Sequence, residues 1–175
     1  MDPTKLDESV ELKDGGEVLL RPIRPEDKKR LLEFFESLSG RTIRSRFLRL
    51  KATLSEEELA HYTELDFVDH VGIVVTIESD GRESIIGVGR YLRLEEEGGK
   101  RAEIAIAVTD DHHRRGIGDL LLKRLSEIAS SQGIEEFEML VPEENKRRIE
   151  AVESTGRVVS TTTDFGIARL VIRTG

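Results

Sequence analysis

The residues whose types and spacing suggest chemistry lie in the segment HHRRGIGDLL, at positions 112–121, where two glycines precede an apolar helical pattern. The first N–H groups of a helix have no partner within the helix, and they carry a partial positive charge. Gly116 and Gly118 have no side chain to block an approaching group, so an anion can lie directly on these amides. Two glycines at this spacing also occur in plain tight turns. The segment predicts either an anion-binding loop or such a turn.

Other motifs for phosphate binding or catalysis are absent from the sequence. The pattern G-x-G-x-x-G fails because Leu121 occupies its third glycine position, and no G-x-x-x-x-G-K-[ST] occurs, since Arg101 follows Gly99 and Lys100. There is also no H-E-x-x-H zinc motif and no G-x-S-x-G nucleophile motif. The absence of cysteine excludes disulfides, cysteine-ligated zinc and an acyl-cysteine intermediate. We therefore expect a site without a metal.

Composition limits the class of protein and its partners. With 175 residues, 37% of them hydrophobic and 35% charged, the chain has the length and composition of one globular domain. A net charge of -8 opposes binding to nucleic acid or to an anionic membrane and is compatible with a cationic substrate. No apolar run is long enough to span a membrane, and the polar, acidic start is unlike a signal peptide. We expect a cytoplasmic protein.

Hydrophobic spacing places the loop between a strand and a helix. Apolar residues at a period of 3.6 predict helices over 27–38, 55–65, from 117 towards a cap at Gly133, and 144–153. Ser55 and Glu58 form a capping box, and a basic stretch at 41–51 precedes them. Runs rich in Val and Ile predict strands over 10–13, 17–24, 71–78, 85–94, 101–110, 137–141, 158–162 and 167–172.

The loop and its surroundings resemble the GNAT superfamily of acyl-CoA-dependent N-acetyltransferases. The family signature at this place is [Q/R]-x-x-G-x-[G/A], and residues 113–118 match both glycines, with His113 at the first position. Further matches cover most of the chain: LRPIRPED at 20–27, SRFL at 45–48, AEIAIAVTDD at 102–111 and VPEEN at 141–145. SRFL and AEIAIAVTDD are similar to segments of the bacterial protein lysine acetyltransferases of the Pat type.

The resemblance implies a fold and a domain organisation. The fold is α+β, with a central mixed, mostly antiparallel sheet of about seven strands, flanking helices, and a splayed fourth and fifth strand pair. Pro142 cannot donate to a central ladder, which is compatible with separation of the fifth strand from the fourth. Residues 1–175 are expected to form a single GNAT domain, with residues 1–9 disordered.

The resemblance also implies a site for acetyl-CoA as co-substrate. Its pantetheine arm would pair with the backbone of Ile106, Ala107 and Val108, and Asn145 would contact the arm from the other side. The amides for the pyrophosphate would come from the loop, namely from Arg114, Arg115, Gly116, Ile117, Gly118 and Asp119.

The remaining requirement of the chemistry is a base. A lysine amine with a pKa of about 10.4 is protonated at neutral pH, so only about one in 2,500 is nucleophilic. Glu103 lies in the strand before the loop, and alternation places it on one face with Ala105 and Ala107, whose small side chains leave space for a substrate. An exposed edge glutamate would show the same pattern. In the Pat-type enzymes the corresponding glutamate is the general base, directly or through water, so the resemblance implies a catalytic Glu103.

The general acid and the acceptor are left open by the sequence. Many GNAT enzymes have a tyrosine seven residues after the asparagine, where this chain has Val152, and we assign the role to neither Tyr62 nor Tyr91. The expected reaction is direct transfer, in a ternary complex, to an amine, with the lysine of a partner protein as acceptor by resemblance. The alternatives are a small amine, such as a polyamine, an aminoglycoside or an amino acid, and a non-catalytic acyl-CoA-binding regulatory module.

Overall fold

The computed structural model describes residues 2–39 and 53–175, which form one sheet with helices on both faces. The N-terminal part contains β1 (Glu8–Glu11), β2 (Glu17–Pro22), α1 (Lys28–Ser37), α2 (Glu56–Thr63), β3 (His70–Ser79), β4 (Arg82–Arg93) and β5 (Arg101–Val108). The remainder contains α3 (Ile117–Ser131), β6 (Glu136–Pro142), α4 (Lys146–Glu153), β7 (Val158–Asp164) and β8 (Ile167–Arg173). The predicted basic stretch at 41–51 and the SRFL segment lie outside the described residues.

The sheet has eight strands in the order β1-β2-β3-β4-β5-β6-β8-β7. Every neighbouring pair is antiparallel except β5 and β6, which are parallel. The predicted α+β class and the mixed, mostly antiparallel sheet are therefore confirmed, with eight strands where about seven were expected. In the part of the chain that the structure describes, no helix is long and apolar enough to cross a membrane.

The N-terminal segment differs from the expected disordered tail. Residues Pro3–Lys5 form a short 3₁₀ turn, the side chain of Leu6 is buried, and β1 pairs with β2 along four residues. The expectation of disorder over residues 1–9 is therefore wrong for residues 2–9. The segment is polar in sequence, but a strand at the edge of a sheet needs only one neighbour and one buried face.

Helix α3 packs directly on β4 because two glycines leave room for it. A Cβ atom on Gly87 would lie 2.8 Å from Ile117 Cγ2, and one on Gly89 would lie 2.9 Å from Leu125 Cδ1. The predicted apolar stripe on this helix is buried, as expected for its contact with the sheet: Ile117, Leu121, Leu125 and Ile128. This packing fixes the start of α3, and therefore the glycine loop, against the sheet.

The opposite face of the sheet is covered by α1 and α2. Phe34, Phe35 and Leu59 join a second apolar cluster there, and the predicted capping box of Ser55 and Glu58 begins α2. Arg21 donates two hydrogen bonds to Asp27 just before α1, at 2.7 and 2.8 Å, and both side chains are buried. The start of α1 therefore has a fixed position relative to β2.

Candidate active site

The centre of the sheet contains a V-shaped gap between β5 and β6. The two strands pair at only three positions, Arg101 with Glu136, Ala102 with Phe137 and Glu103 with Glu138, and then diverge. Beyond Glu138, β6 continues to pair with β8 as far as Pro142. The predicted splay is confirmed, but it begins four residues before Pro142, so the proline does not start it.

The edge of β5 that faces the gap presents backbone carbonyls to side chains instead of to β6. The carbonyl of Ile106 accepts a hydrogen bond from Arg148 Nη2 at 2.7 Å. The carbonyl of Val108 lies 2.9 Å from Nε2 of His113. A ligand with amide groups that entered the gap could donate hydrogen bonds to these two carbonyls, as an added β-strand does.

A cleft of about 700 Å³ opens from the gap towards the start of α3. Most of the residues predicted to bind the co-substrate line it: Ile106, Val108, Arg114, Gly116, Ile117, Gly118, Asp119 and Asn145. Arg147, Arg148 and Val152 of α4 form part of the opposite wall. The structure therefore brings residues from β5, the glycine loop and the β6–α4 connection to one cavity.

The glycine loop leaves the first turn of α3 accessible. Gly116 caps the helix with a φ of 85°, a left-handed conformation that glycine adopts without strain, and no side chain caps the first amides. A Cβ atom on Gly118 would meet nothing within 4 Å, so the space beside this residue is open. The arrangement fits an anion held by helix N–H groups, as a diphosphate would require.

Two predicted binding residues have side chains directed elsewhere. The guanidinium of Arg115 donates to the carboxylate of Asp14 in the β1–β2 turn, and Arg115 is not part of the cleft lining. The side chain of Ala107 is buried in the cluster under α1, on the other face of the sheet. Asn145 lies in the cleft, where its side chain also accepts a hydrogen bond from the backbone N–H of Arg148 and so begins α4.

Glu103 lies at the vertex of the gap. Its side chain is exposed, and its backbone pairs with Leu92 on one side and Glu138 on the other. The predicted alternation is present, because Ile104 and Ile106 belong to the core under α3 while Ala107 belongs to the core under α1. Glu103 is thus on the α1 and α2 face, opposite the cleft.

A cationic and aromatic cluster on the same face was not predicted. The guanidinium of Arg90 lies 4.2 Å from the centre of the Tyr62 ring, and its Nη1 is 3.4 Å from His70 Nε2. Burial lowers the pKa of Arg90, an effect that its electrostatic attraction to Tyr62 and Glu103 partly offsets. These residues come from α2, β3 and β4, so no local sequence pattern connects them.

The other tyrosine, Tyr91, is part of the core and does not line the cleft. It is fully buried, its hydroxyl donates to Gln132 at 2.6 Å, and burial raises its pKa far above the usual value.

His112 lies in the wall of the cleft. One nitrogen of its ring is 2.9 Å from the Thr109 hydroxyl, and its pKa is lowered by burial and by Arg115. Across residues 2–39 and 53–175, no group of three His, Asp or Glu side chains is placed to hold a metal ion.

Comparison with known proteins gives a consistent result. Residues 38–156 match the acetyltransferase (GNAT) family. An acetyltransferase of Pseudomonas aeruginosa is 31% identical over 126 residues, which are 72% of this chain and 67% of that protein. The acetyltransferase Pat of Mycolicibacterium smegmatis is 30% identical over 149 residues, and the match covers 85% of this chain but only 44% of that longer protein.

A solved structure extends the similarity to almost the whole chain. The crystal structure of the GNAT domain of S. lividans PAT superposes with a TM-score of 0.87 at 31% identity. The match covers 98% of each of the two chains.

Proposed function

Because this chain belongs to the acetyltransferase (GNAT) family, we propose that it transfers the acetyl group of acetyl-CoA directly to the ε-amino group of a lysine on a partner protein. Family membership accounts for the acetyl-CoA-dependent N-acetylation itself. The lysine acceptor is supported by the similarity to the GNAT domain of S. lividans PAT and to a mycobacterial Pat, and by the resemblance of AEIAIAVTDD to Pat-type enzymes.

The cleft supplies the groups that acetyl-CoA needs. Helix N–H groups at Gly116 to Asp119 bind the pyrophosphate, because they are uncapped and the partial charge of the helix is positive there. The backbone of Ile106 and Val108 binds the pantetheine arm in the place of a missing β-strand neighbour. Acetyl-CoA, when bound, supplies an acetyl group activated as a thioester.

Glu103 acts as the general base on the opposite face of the sheet. The acceptor amine approaches from the α1 and α2 side, and the carboxylate of Glu103 takes its proton, directly or through one water. The gap between β5 and β6 lets groups on the two faces meet, because no ladder hydrogen bonds close the sheet beyond Glu103. A proton acceptor at this vertex can therefore be reached from both faces of the sheet.

One observation carries the proposal: a glycine loop, a strand edge without a partner strand and an exposed carboxylate are arranged around one gap. The continuous sheet from β1 to β7 supports our further proposal that residues 1–175 form a single domain. The match to less than half of the mycobacterial Pat leaves any activity of further regions of that protein outside this proposal.

The acceptor is tested by following a labelled acetyl group. The purified chain is incubated with isotopically labelled acetyl-CoA and a cell lysate that gel filtration has divided into proteins and small molecules. Mass spectrometry is expected to find label on lysine side chains of proteins, and thiol release should match it. Label confined to small amines would overturn the protein acceptor, and binding of acetyl-CoA without thiol release would overturn the transfer.

A further inference from the structure

Arg148 places a positive charge inside the gap between β5 and β6. Its guanidinium reaches across from α4, and Nη2 donates to the carbonyl of Ile106 at 2.7 Å. Arg148 also lines the cleft, together with the residues of the glycine loop. A side chain from the second half of the sheet thus contacts the exposed edge of the first half.

The charge of Arg148 has no anionic partner in the described residues. No carboxylate oxygen of residues 2–39 or 53–175 lies within 4 Å of this guanidinium, whereas the buried Arg21 has two carboxylate partners, Asp27 and Glu83. Burial lowers the pKa of Arg148 accordingly. A desolvated cation held only by a neutral carbonyl is a strong potential partner for an anion that enters the gap.

The position of Ile106 identifies which end of the co-substrate meets this cation. The pyrophosphate lies at the glycine loop, beyond the carboxyl end of β5, and the arm runs back along the strand from there. Ile106 is farther from the loop than Val108, by two residues or about 6.6 Å of strand. Arg148 therefore contacts the arm near its sulfur end and not near its phosphates.

We propose that Arg148 is a catalytic residue that stabilises the negative charge on the sulfur of the departing coenzyme A. In the transfer, a C–N bond forms, the C–S bond breaks and its electron pair goes to sulfur, while the amine proton goes to Glu103. The thiolate is released as such or takes a proton from water. This inference rests on the proposed function, because it needs the arm to lie along β5.

Among the described residues, no tyrosine lines the cleft, which leaves this task to the cation. Val152, one turn beyond Arg148, is a buried apolar residue, and Tyr91 is buried against Gln132 on another element. A thiol with an ordinary pKa of about 8.5 needs only modest help to leave as an anion. A fixed positive charge at 4–6 Å lowers the pKa of such a group by about one to three units.

Other charged and titratable groups also face the cleft, and the test must separate them from Arg148. They come from the β5–α3 connection, the start of α3 and α4: Asp110, His112, His113, Arg114, Asp119 and Arg147. All of them except Arg147 lie at the loop, where the phosphates bind. Lys146, an exposed residue next to them on α4, provides a control that removes the same charge outside the cleft.

The experiment measures the thiol of bound coenzyme A without turnover. Ultraviolet absorbance of the thiolate is followed against pH for coenzyme A bound to wild type, Arg148→Met, Arg148→Lys and Lys146→Met. We expect the pKa of the bound thiol to lie at least about one unit below that of free coenzyme A in wild type and Lys146→Met. It should return to the free value in Arg148→Met and be lowered partly in Arg148→Lys.

Binding of desulfo-coenzyme A, measured by calorimetry, shows whether each variant retains a folded arm site. Arg148→Met should bind this analogue at least as tightly as wild type, because the Ile106 carbonyl is then free, and its kcat should fall about 100- to 1,000-fold with little change in KM. A thiol pKa that stays low in Arg148→Met would overturn the role of Arg148 alone. Failure of wild type to bind coenzyme A would overturn the proposed function as well.

Discussion

The guanidinium of Arg115 donates to both carboxylate oxygens of Asp14, which links the glycine loop to the turn between β1 and β2. The two residues are 101 positions apart in the sequence. The hydrogen bonds from Arg115 are the largest cause that lowers the pKa of Asp14. One of the two loop arginines is therefore already paired with a carboxylate, whereas the other, Arg114, lines the cleft.

We expect this pairing to weaken the attraction of the loop for acetyl-CoA. Asp14→Asn should strengthen binding about two- to threefold at low salt, because Arg115 can then turn towards the pyrophosphate. Arg114→Met should weaken binding more than Arg115→Met does. Calorimetry at two salt concentrations measures this, and equal affinity of wild type and Asp14→Asn at low salt would contradict it.

Gly118→Leu is expected to separate binding from folding, because the family signature accepts glycine or alanine at this position but no larger side chain. A Cβ atom here meets nothing within 4 Å and leucine suits a helix, so the thermal midpoint should be unchanged or slightly higher. The larger side chain takes up space beside the uncapped first turn of α3, so the Kd for coenzyme A should rise at least about tenfold, which calorimetry measures.

Gly116→Ala provides the contrasting variant. With a φ of 85° at this position, alanine is strained, and the free energy of unfolding should fall by about 1 to 2 kcal/mol. If Gly118→Leu lost stability instead while it kept its affinity for coenzyme A, the loop would be a structural turn and not an anion site.

Glu103→Gln tests the general base. The amide keeps the size of the side chain but cannot accept the amine proton, so kcat should fall about 100- to 10,000-fold while the affinity for acetyl-CoA is retained. Glu138→Gln, on the paired residue of β6 whose carboxylate contacts Arg169, is the matched control and should lose little activity. Near-normal turnover of Glu103→Gln would eliminate the proposed role.

Asp27→Asn should destabilise the fold by about 1.5 to 3 kcal/mol, because it removes the main counter-ion of the buried Arg21 and leaves Glu83 as its carboxylate partner. Burial favours the neutral form of Asp27, but the hydrogen bonds from Arg21 and from the backbone of Arg24 outweigh it, and its pKa is lowered. A lowered pKa in the folded state means that the stabilisation is present above pH about 4 and is lost as the pH falls further.

Urea unfolding between neutral pH and about pH 3 measures this dependence. Wild type should lose stability steeply at the acidic end, while Asp27→Asn should show a flatter curve in that range. Arg82→Met, which removes an exposed partner of Glu33, is the control for a surface ion pair and should change stability by less than about 1 kcal/mol. Curves of equal slope for wild type and Asp27→Asn would contradict the assignment.

The features that the sequence predicted well are those that depend on neighbours along the chain. The spacing of Gly116 and Gly118 determines the loop, and the stripe from Ile117 to Ile128 determines the buried face of α3. The alternation of side chains along β5 also correctly placed Glu103 and Ile104 on opposite faces of the sheet. Such patterns act over a few residues, where backbone geometry leaves few choices.

The features that it missed depend on contacts between distant elements. Arg148 of α4 donates to the carbonyl of Ile106 in β5, and Arg115 donates to Asp14 in the β1–β2 turn. The direction of neither side chain follows from the spacing of residues along the chain. The separation of β5 from β6 begins before Pro142 because β6 keeps its pairing with β8, which is a property of the whole sheet. The sequence predicts a strand over 10–13, but β1 begins earlier, at Glu8, within the segment expected to be disordered, where it pairs with β2.

The three-residue contact between β5 and β6 divides the sheet into a five-stranded and a three-stranded half. Beyond the contact, the two halves are joined through the apolar core under α3, which contains Ile104 of β5 and Met139 of β6. A ligand that spans the gap would cross-link the two halves, and we expect protection from amide exchange on loading to extend into β6 and β8, beyond the atoms that the ligand touches.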